Sequence, residues 1–243
     1  MKFLSLKGQM IIFLAALAVY LSAAGKDTSF LLFVLVAVIA ALAADSLFIY
    51  FREKRFVLTE SSAISGLIIA YVVSGIYPWQ VFAAAGLFAM ASKHFLRIHG
   101  KHLFNPAAFG IFTATVFWGG SLQWRGADAW YILVPAGIYF VWRIRKTGIV
   151  FGYFAAYLAL FGVQALLQKT PLWDIIQYQN AFFIFVMLIE PKTTPVTTKG
   201  KVVFGMAVAL LVFVLTQNRT PFDAQILALL GMNIFSPLLN RFR

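Results

Sequence analysis

The chain has 243 residues, 62% hydrophobic and 12% charged, whereas soluble domains are about half apolar and about a quarter charged. That balance excludes an ordinary soluble enzyme. Each apolar run is about long enough to cross a hydrocarbon core of roughly 30 Å as a helix, and the about ten-residue alternation of an outer-membrane barrel is missing, so the fold class is all-α integral membrane. Twenty Lys and Arg against eight acids give a net charge of +12, but the charges fall in clusters between the apolar runs. They read as topology signals rather than a nucleic-acid surface. With no cysteine, thiolate-held iron–sulfur clusters, disulfides and c-type haem attachment are excluded.

In chain order, the positive N-terminus leads into a first span from about Met10 to Ala24, read as a membrane helix and not as a cleaved signal. A second span, Ser29 to Phe51, ends in Arg52-Glu53-Lys54-Arg55. The third, Ser62 to Ile76, turns at Tyr77-Pro78-Trp79 into a fourth that returns to the basic segment Lys93 to His102. The fifth runs from Phe104 to Trp118, with Asn105 suited to cap it and Pro106 to its first turn. The sixth, Trp130 to Trp142, ends on Arg143, Arg145 and Lys146, and the seventh covers Ile149 to Leu167. The eighth is Asn180 to Ile189, the ninth Val202 to Thr216 and the tenth Phe222 to Leu239. Of the 20 Lys and Arg, only Lys26, Arg125, Lys169 and Arg219 fall on the outer side of this plan. The positive-inside rule therefore predicts about ten crossings of the inner (cytoplasmic) membrane with both termini cytoplasmic.

Ten spans in one polytopic domain, 1–243, divide into sets of five. An odd number inverts the second set relative to the first, so inverted repeats are expected at 1–125 and 126–243. Pro106 and Pro221 stand near the start of the last span of each half, and Pro78 and Pro191 follow the third.

The stretch Ile189 to Gly205, I-E-P-K-T-T-P-V-T-T-K-G-K-V-V-F-G, places a charged, proline-broken turn between two apolar spans. Such a turn has to sit at the interface or line a protein-enclosed cavity, because lipid cannot satisfy its backbone. It is the first candidate site, against the plainer reading of a cytoplasmic loop. Asp45 is the acid most deeply placed in a span, where a carboxylate costs about 3 kcal/mol or more without a partner or cavity. It reads as an ion-pathway residue, or as the partner of Arg52 about two turns away. Glu60 and Glu190 sit near the inner face, as ligand contacts or simple ion pairs. The three histidines, His94, His99 and His102, share one membrane face and cannot hold a transmembrane pair of haems. Without carboxylates at ligand spacing they predict no metal site and read as lipid-facing or solvated. No phosphate loop, dinucleotide fingerprint or hydrolase elbow is present, so no residue is assigned as catalytic.

Four stretches carry a resemblance. They are Phe104-Asn105-Pro106-Ala107; Trp142-Arg143; Glu190-Pro191-Lys192-Thr193-Thr194-Pro195 running into Lys199-Gly200-Lys201 and Phe204-Gly205; and Met232-Asn233 through Pro237-Leu238-Leu239. In order and spacing the chain resembles the RnfD and NqrB family, the flavin-carrying membrane subunits of the Rnf and Nqr ion-translocating electron-transport complexes, over nearly its whole length. The resemblance implies electron transfer through a flavin (FMN or riboflavin) in the helix bundle, with Asn105, Glu190, Lys192, Thr193 and Thr194 as its polar neighbours and possible coupling to Na+ or H+. It also implies a flavin- and iron–sulfur-containing reductase subunit, or other complex subunits, as partners beside the lipid bilayer. Two departures stand out. Where the family often carries FMN on the Thr of Ser-Gly-Ala-Thr, this chain has Arg125-Gly126-Ala127-Asp128, so the flavin is expected to be non-covalent. Where the family commonly has Asp-Pro, it has Glu190-Pro191, which keeps the carboxylate. The rival from another class is a channel or secondary transporter of inverted-repeat fold without a redox cofactor.

Overall fold

A computed structural model describes residues 4–98, 100–119, 121–177 and 179–241; of residues 174, 176 and 177 it describes the backbone. The chain divides into two units, Met1–Ala129 and Trp130–Arg243.

The first unit holds α1 (Leu6–Gly25), α2 (Ser29–Glu53), α3 (Glu60–Val72) and α4 (Trp79–Phe95), then a two-residue hairpin of β1 (Arg97–Ile98) and β2 (Lys101–His102), α5 (Pro106–Trp118) and a 3₁₀ turn, Arg125–Ala129. Local chemistry sets the starts. Thr59 Oγ1 caps α3 by accepting from Ser62 N at 3.3 Å, and Asn105 Oδ1 caps α5 from Ala108 N at 3.1 Å with Pro106 in the first turn. The element at the centre is α3, whose residues from Ser65 to Val72 are all buried. A helix apolar on every side has to be surrounded by protein. Here α1, α2, α4 and α5 supply that cover, and the Tyr71 hydroxyl donates to the Leu14 carbonyl at 2.6 Å.

The second unit holds α6 (Trp130–Arg143), α7 (Thr147–Gln168), α8 (Leu172–Gln177), a π-helical turn at Phe183–Met187, α9 (Thr198–Gln217) and α10 (Ala224–Leu239). The pair α7 and α9 forms its main contact, with α10 on α9 and α6 on the π turn. Again the third apolar element is enclosed: Ala181 to Ile189 are all buried.

Among the described residues four helices, α1, α2, α7 and α9, are long and apolar enough to cross a membrane, and α3, α5 and α10 are shorter apolar helices. Their outward faces carry large apolar side chains, such as Ile39 at 62% and Leu167 at 80% exposed, where a lipid-facing protein puts them. The expected eighth span, Asn180 to Ile189, is a short, partly π-wound element and not a full-length helix.

Candidate functional site

The turn after the π element is held from three directions. Thr193 and Thr194 are each 3% exposed. Thr193 Oγ1 donates to Glu190 Oε2 at 2.9 Å, and Thr194 Oγ1 donates to the Glu190 carbonyl at 2.6 Å. From α10, fully buried Asn233 donates its Nδ2 to the Thr193 carbonyl at 3.2 Å. From the start of α7, Lys146, 4% exposed, donates to the carbonyls of Thr194 at 3.3 Å and Pro195 at 2.7 Å. An unpaired buried carbonyl costs about 1–3 kcal/mol, so these donors are what lets a proline-broken backbone lie among apolar helices. The positive φ of Arg145, 57°, reverses the chain after α6 and so sets where Lys146 starts α7. At the far end Thr197 caps α9 through Gly200 N, and the Asn240 amide oxygen accepts from Val196 N at 2.8 Å.

Two motif glycines have a steric reason. A Cβ at Gly200 would lie 2.5 Å from the Leu239 carbonyl, and one at Gly205 would lie 2.1 Å from the Ile149 carbonyl. Only glycine lets α9 pack that closely on its neighbours.

Of the predicted cofactor neighbours, Glu190, Thr193 and Thr194 are joined in this turn, Glu190 half-buried, with exposed Lys192 on its rim. Asn105 belongs to the first unit, where it caps α5. Sequence reading missed Lys146 and Asn233 as the residues that hold the turn; both lie about 40 or more positions away.

The second unit also carries a polar and aromatic set beside the π element. Along α7, Tyr153 and Tyr157 stack at 5.8 Å and Tyr157 and Phe161 at 4.2 Å between ring centroids, with Phe183 5.9 Å from Tyr153. The buried Tyr153 hydroxyl and both polar atoms of the Gln179 amide have no hydrogen-bond partner among the described residues. The amides of Gln225 and Gln179 lie beside the Tyr153 and Tyr157 hydroxyls, and Asn180 Nδ2 donates to Gln225 Oε1 at 2.9 Å. Flat aromatic faces next to hydroxyl and amide groups fit an uncharged planar ring with hydrogen-bonding edges, as an isoalloxazine is.

Asp45 is fully buried in the first unit, and its partner is not Arg52, which pairs with Glu53 at 2.7 Å. Lys93 Nζ reaches both carboxylate oxygens at 2.8 Å, His94 Nε2 reaches Oδ1 at 2.7 Å, and Thr59 Oγ1 donates to Oδ2 at 2.5 Å. The reading of the histidines as lipid-facing or solvated is corrected here. The His94 side chain is 9% exposed against Asp45, and His102 is 6% exposed. His99 lies outside the described residues. No group of three or more His, Asp or Glu able to hold a metal occurs among the described residues.

The segment Arg125 to Asp128 lies in the 3₁₀ turn, with Asp128 exposed. Arg125 donates to Asp27 Oδ2 at 2.6 Å and to Gln123 Oε1 at 3.1 Å, and its guanidinium lies 4.8 Å from the Phe30 ring centroid. Hydrogen bonds from the Ser29 hydroxyl and then from Arg125 hold the Asp27 carboxyl below its usual range.

Comparison with known proteins gives the family. The chain is similar to the D subunit of the ion-translocating oxidoreductase complex of Mannheimia succiniciproducens, at 32% identity over 75 residues, which is 31% of this chain and 21% of that protein; the match thus spans about a fifth of the relative's length. The sequence profile of the NQR2, RnfD, RnfE family matches residues 4–131 and 127–243. This chain belongs to the NQR2, RnfD, RnfE family.

Proposed function

We propose that the chain is a membrane subunit of an Rnf- or Nqr-type ion-translocating oxidoreductase that passes electrons through a non-covalent flavin, FMN or riboflavin. The observation that carries this reading is the turn 190–197, in which Thr193, Thr194 and Pro195 are buried and the carbonyls of all three are held by Asn233 and Lys146. A solvated loop needs no buried lysine and asparagine on its carbonyls; a turn that must present fixed groups to a ligand does. Electron acceptance and release would be the cofactor's own chemistry. The chain's residues would bind, orient and exclude water. Glu190, held by Thr193, offers a carboxylate acceptor; Lys192 offers a cation to balance negative charge on a reduced ring; Thr194 completes the expected polar set of this unit, and Asn105 belongs to the other. Tyr153, Tyr157 and Gln179 add stacking faces and hydrogen-bonding groups. Arg125-Gly126-Ala127-Asp128 has no hydroxyl to take a phosphodiester, which supports a non-covalent cofactor.

The same reading puts the chain in the inner membrane with cytoplasmic termini, in two inverted repeats, beside a flavin- and iron–sulfur-containing reductase subunit. Asp45 serves ion coupling. One observation favours the transporter reading instead: the element from Asn180 to Ile189 is short and π-wound, and broken helices mark substrate sites in transporters.

The test is to purify the chain, expressed with its genomic neighbours, in mild detergent, record its visible spectrum and denature it with acid. The expected outcome is a flavin spectrum whose chromophore is released. Flavin retained through denaturation contradicts the non-covalent assignment. A colourless protein contradicts the redox reading and favours transport.

A further inference from the structure

Lys93 is placed as an occupant as well as a counter-charge. Its Nζ lies 2.8 Å from both oxygens of Asp45, 3.0 Å from Ser61 Oγ and 3.2 Å from Thr59 Oγ1. Four oxygens from α2 and the start of α3 converge on one ammonium arriving from the last turn of α4, although an ammonium has only three protons to donate. A carboxylate with hydroxyl oxygens is a hard-cation donor set. The carboxylate is fully buried and the lysine side chain 12% exposed. One carboxylate and neutral hydroxyls carry a single negative charge, so a monovalent cation cancels it, whereas a divalent ion would leave a buried surplus. His94 holds the carboxylate from its own position, donating to Oδ1, and leaves the second oxygen to Lys93 and Thr59.

We propose that Asp45, Thr59 and Ser61 form a monovalent-cation site whose resident cation is the Lys93 ammonium. A free alkali ion enters only when that ammonium leaves, so ion traffic through Asp45 is an exchange between a tethered cation and a mobile one. Because Lys93 sits at the end of α4, a shift of that helix end is what vacates the site. The proposal refines the ion-coupling part of the function above and does not depend on the flavin: a cation response in a colourless protein would support the site while removing the redox reading.

The experiment is thermal unfolding of the full chain in detergent, at equal ionic strength, in choline, sodium, potassium and methylammonium chlorides. For Lys93→Ala, the midpoint should rise by a few degrees and saturate with potassium, sodium or methylammonium, and stay low in choline. Wild type should respond alike to all four salts, and Lys93→Ala with Asp45→Asn should lose the selective response. Three results overturn the proposal: a folded Lys93→Ala that ignores the choice of cation; a wild-type selective rise that Asp45→Asn abolishes; or a Lys93→Ala that folds in no salt while Asp45→Asn with Lys93→Met folds.

Discussion

Each unit draws a lysine inward, Lys93 with its side chain 12% exposed and Lys146 at 4%, and the two are used in opposite ways. In the first unit Lys93 bonds to side chains, Asp45, Thr59 and Ser61. In the second, Lys146 bonds to main-chain carbonyls of Thr194 and Pro195. A side-chain pair can be exchanged for a neutral one, and its charge can move; a lysine on backbone carbonyls fixes the shape of a turn and nothing else can be substituted for its partners. The first arrangement suits coupling to a mobile charge, and the second suits a rigid wall for a ligand.

The sharpest way to break this contrast is to remove one lysine at a time. Lys93→Met alone, in choline, should destabilise the chain by about 3–5 kcal/mol because it strands a buried carboxylate, and Asp45→Asn in addition should recover most of that loss. Lys146→Met removes the donor from two carbonyls and should cost about 2–6 kcal/mol, at about 1–3 per unsatisfied group, with no second side-chain substitution restoring it. Chemical or thermal unfolding of the single and double variants checks both. Recovery of Lys146→Met by a partner substitution would erase the distinction. A smaller effect is expected at Asn233→Ala, about 1–3 kcal/mol from the Thr193 carbonyl alone; it should loosen the turn enough for trypsin to cut after Lys192 or Lys199 faster than in wild type.

The smallest effect is outside the spans. Asp27 has its pKa lowered by Ser29 and Arg125, so its contribution is present above the ordinary carboxyl value of about 4 and fades as pH falls through the lowered folded value. The pair is partly solvated, so it is worth less than about 1 kcal/mol. Asp27→Asn should lower stability at neutral pH by less than about 1 kcal/mol, leave it unchanged below the lowered folded value, and so flatten the acid side of the stability–pH curve slightly.

Most of the helices were legible in the sequence because lipid demands long apolar runs and each run was bounded by charge or proline, as at Arg52 to Arg55 and Tyr77 to Trp79. The cap at Asn105 followed from the Asn-Pro pair. The turn at Glu190 to Pro195 was legible as a polar interruption. Its supports were not, since Lys146 and Asn233 meet it across 48 and 40 residues, and a basic cluster after a span reads as topology alone. For the same reason Asp45 was recognisable as a buried acid while Lys93, 48 residues on, looked like one more positive-inside charge. The short element at Asn180 to Ile189 reads as an apolar run of helical composition; neither its π winding nor its enclosure by protein is encoded in composition.

In the proposed function the turn of the second unit is a preorganised wall for flavin, and the Asp45–Lys93 pair of the first unit is not part of it. The most direct measurement is flavin content per chain in wild type, Lys146→Met and Asp45→Asn with Lys93→Met, each purified from the same complex and checked for folding. The account predicts near-stoichiometric flavin in wild type and in the double variant, and loss from Lys146→Met. Flavin retained by a folded Lys146→Met at the wild-type level, or absent from wild type itself, would contradict it.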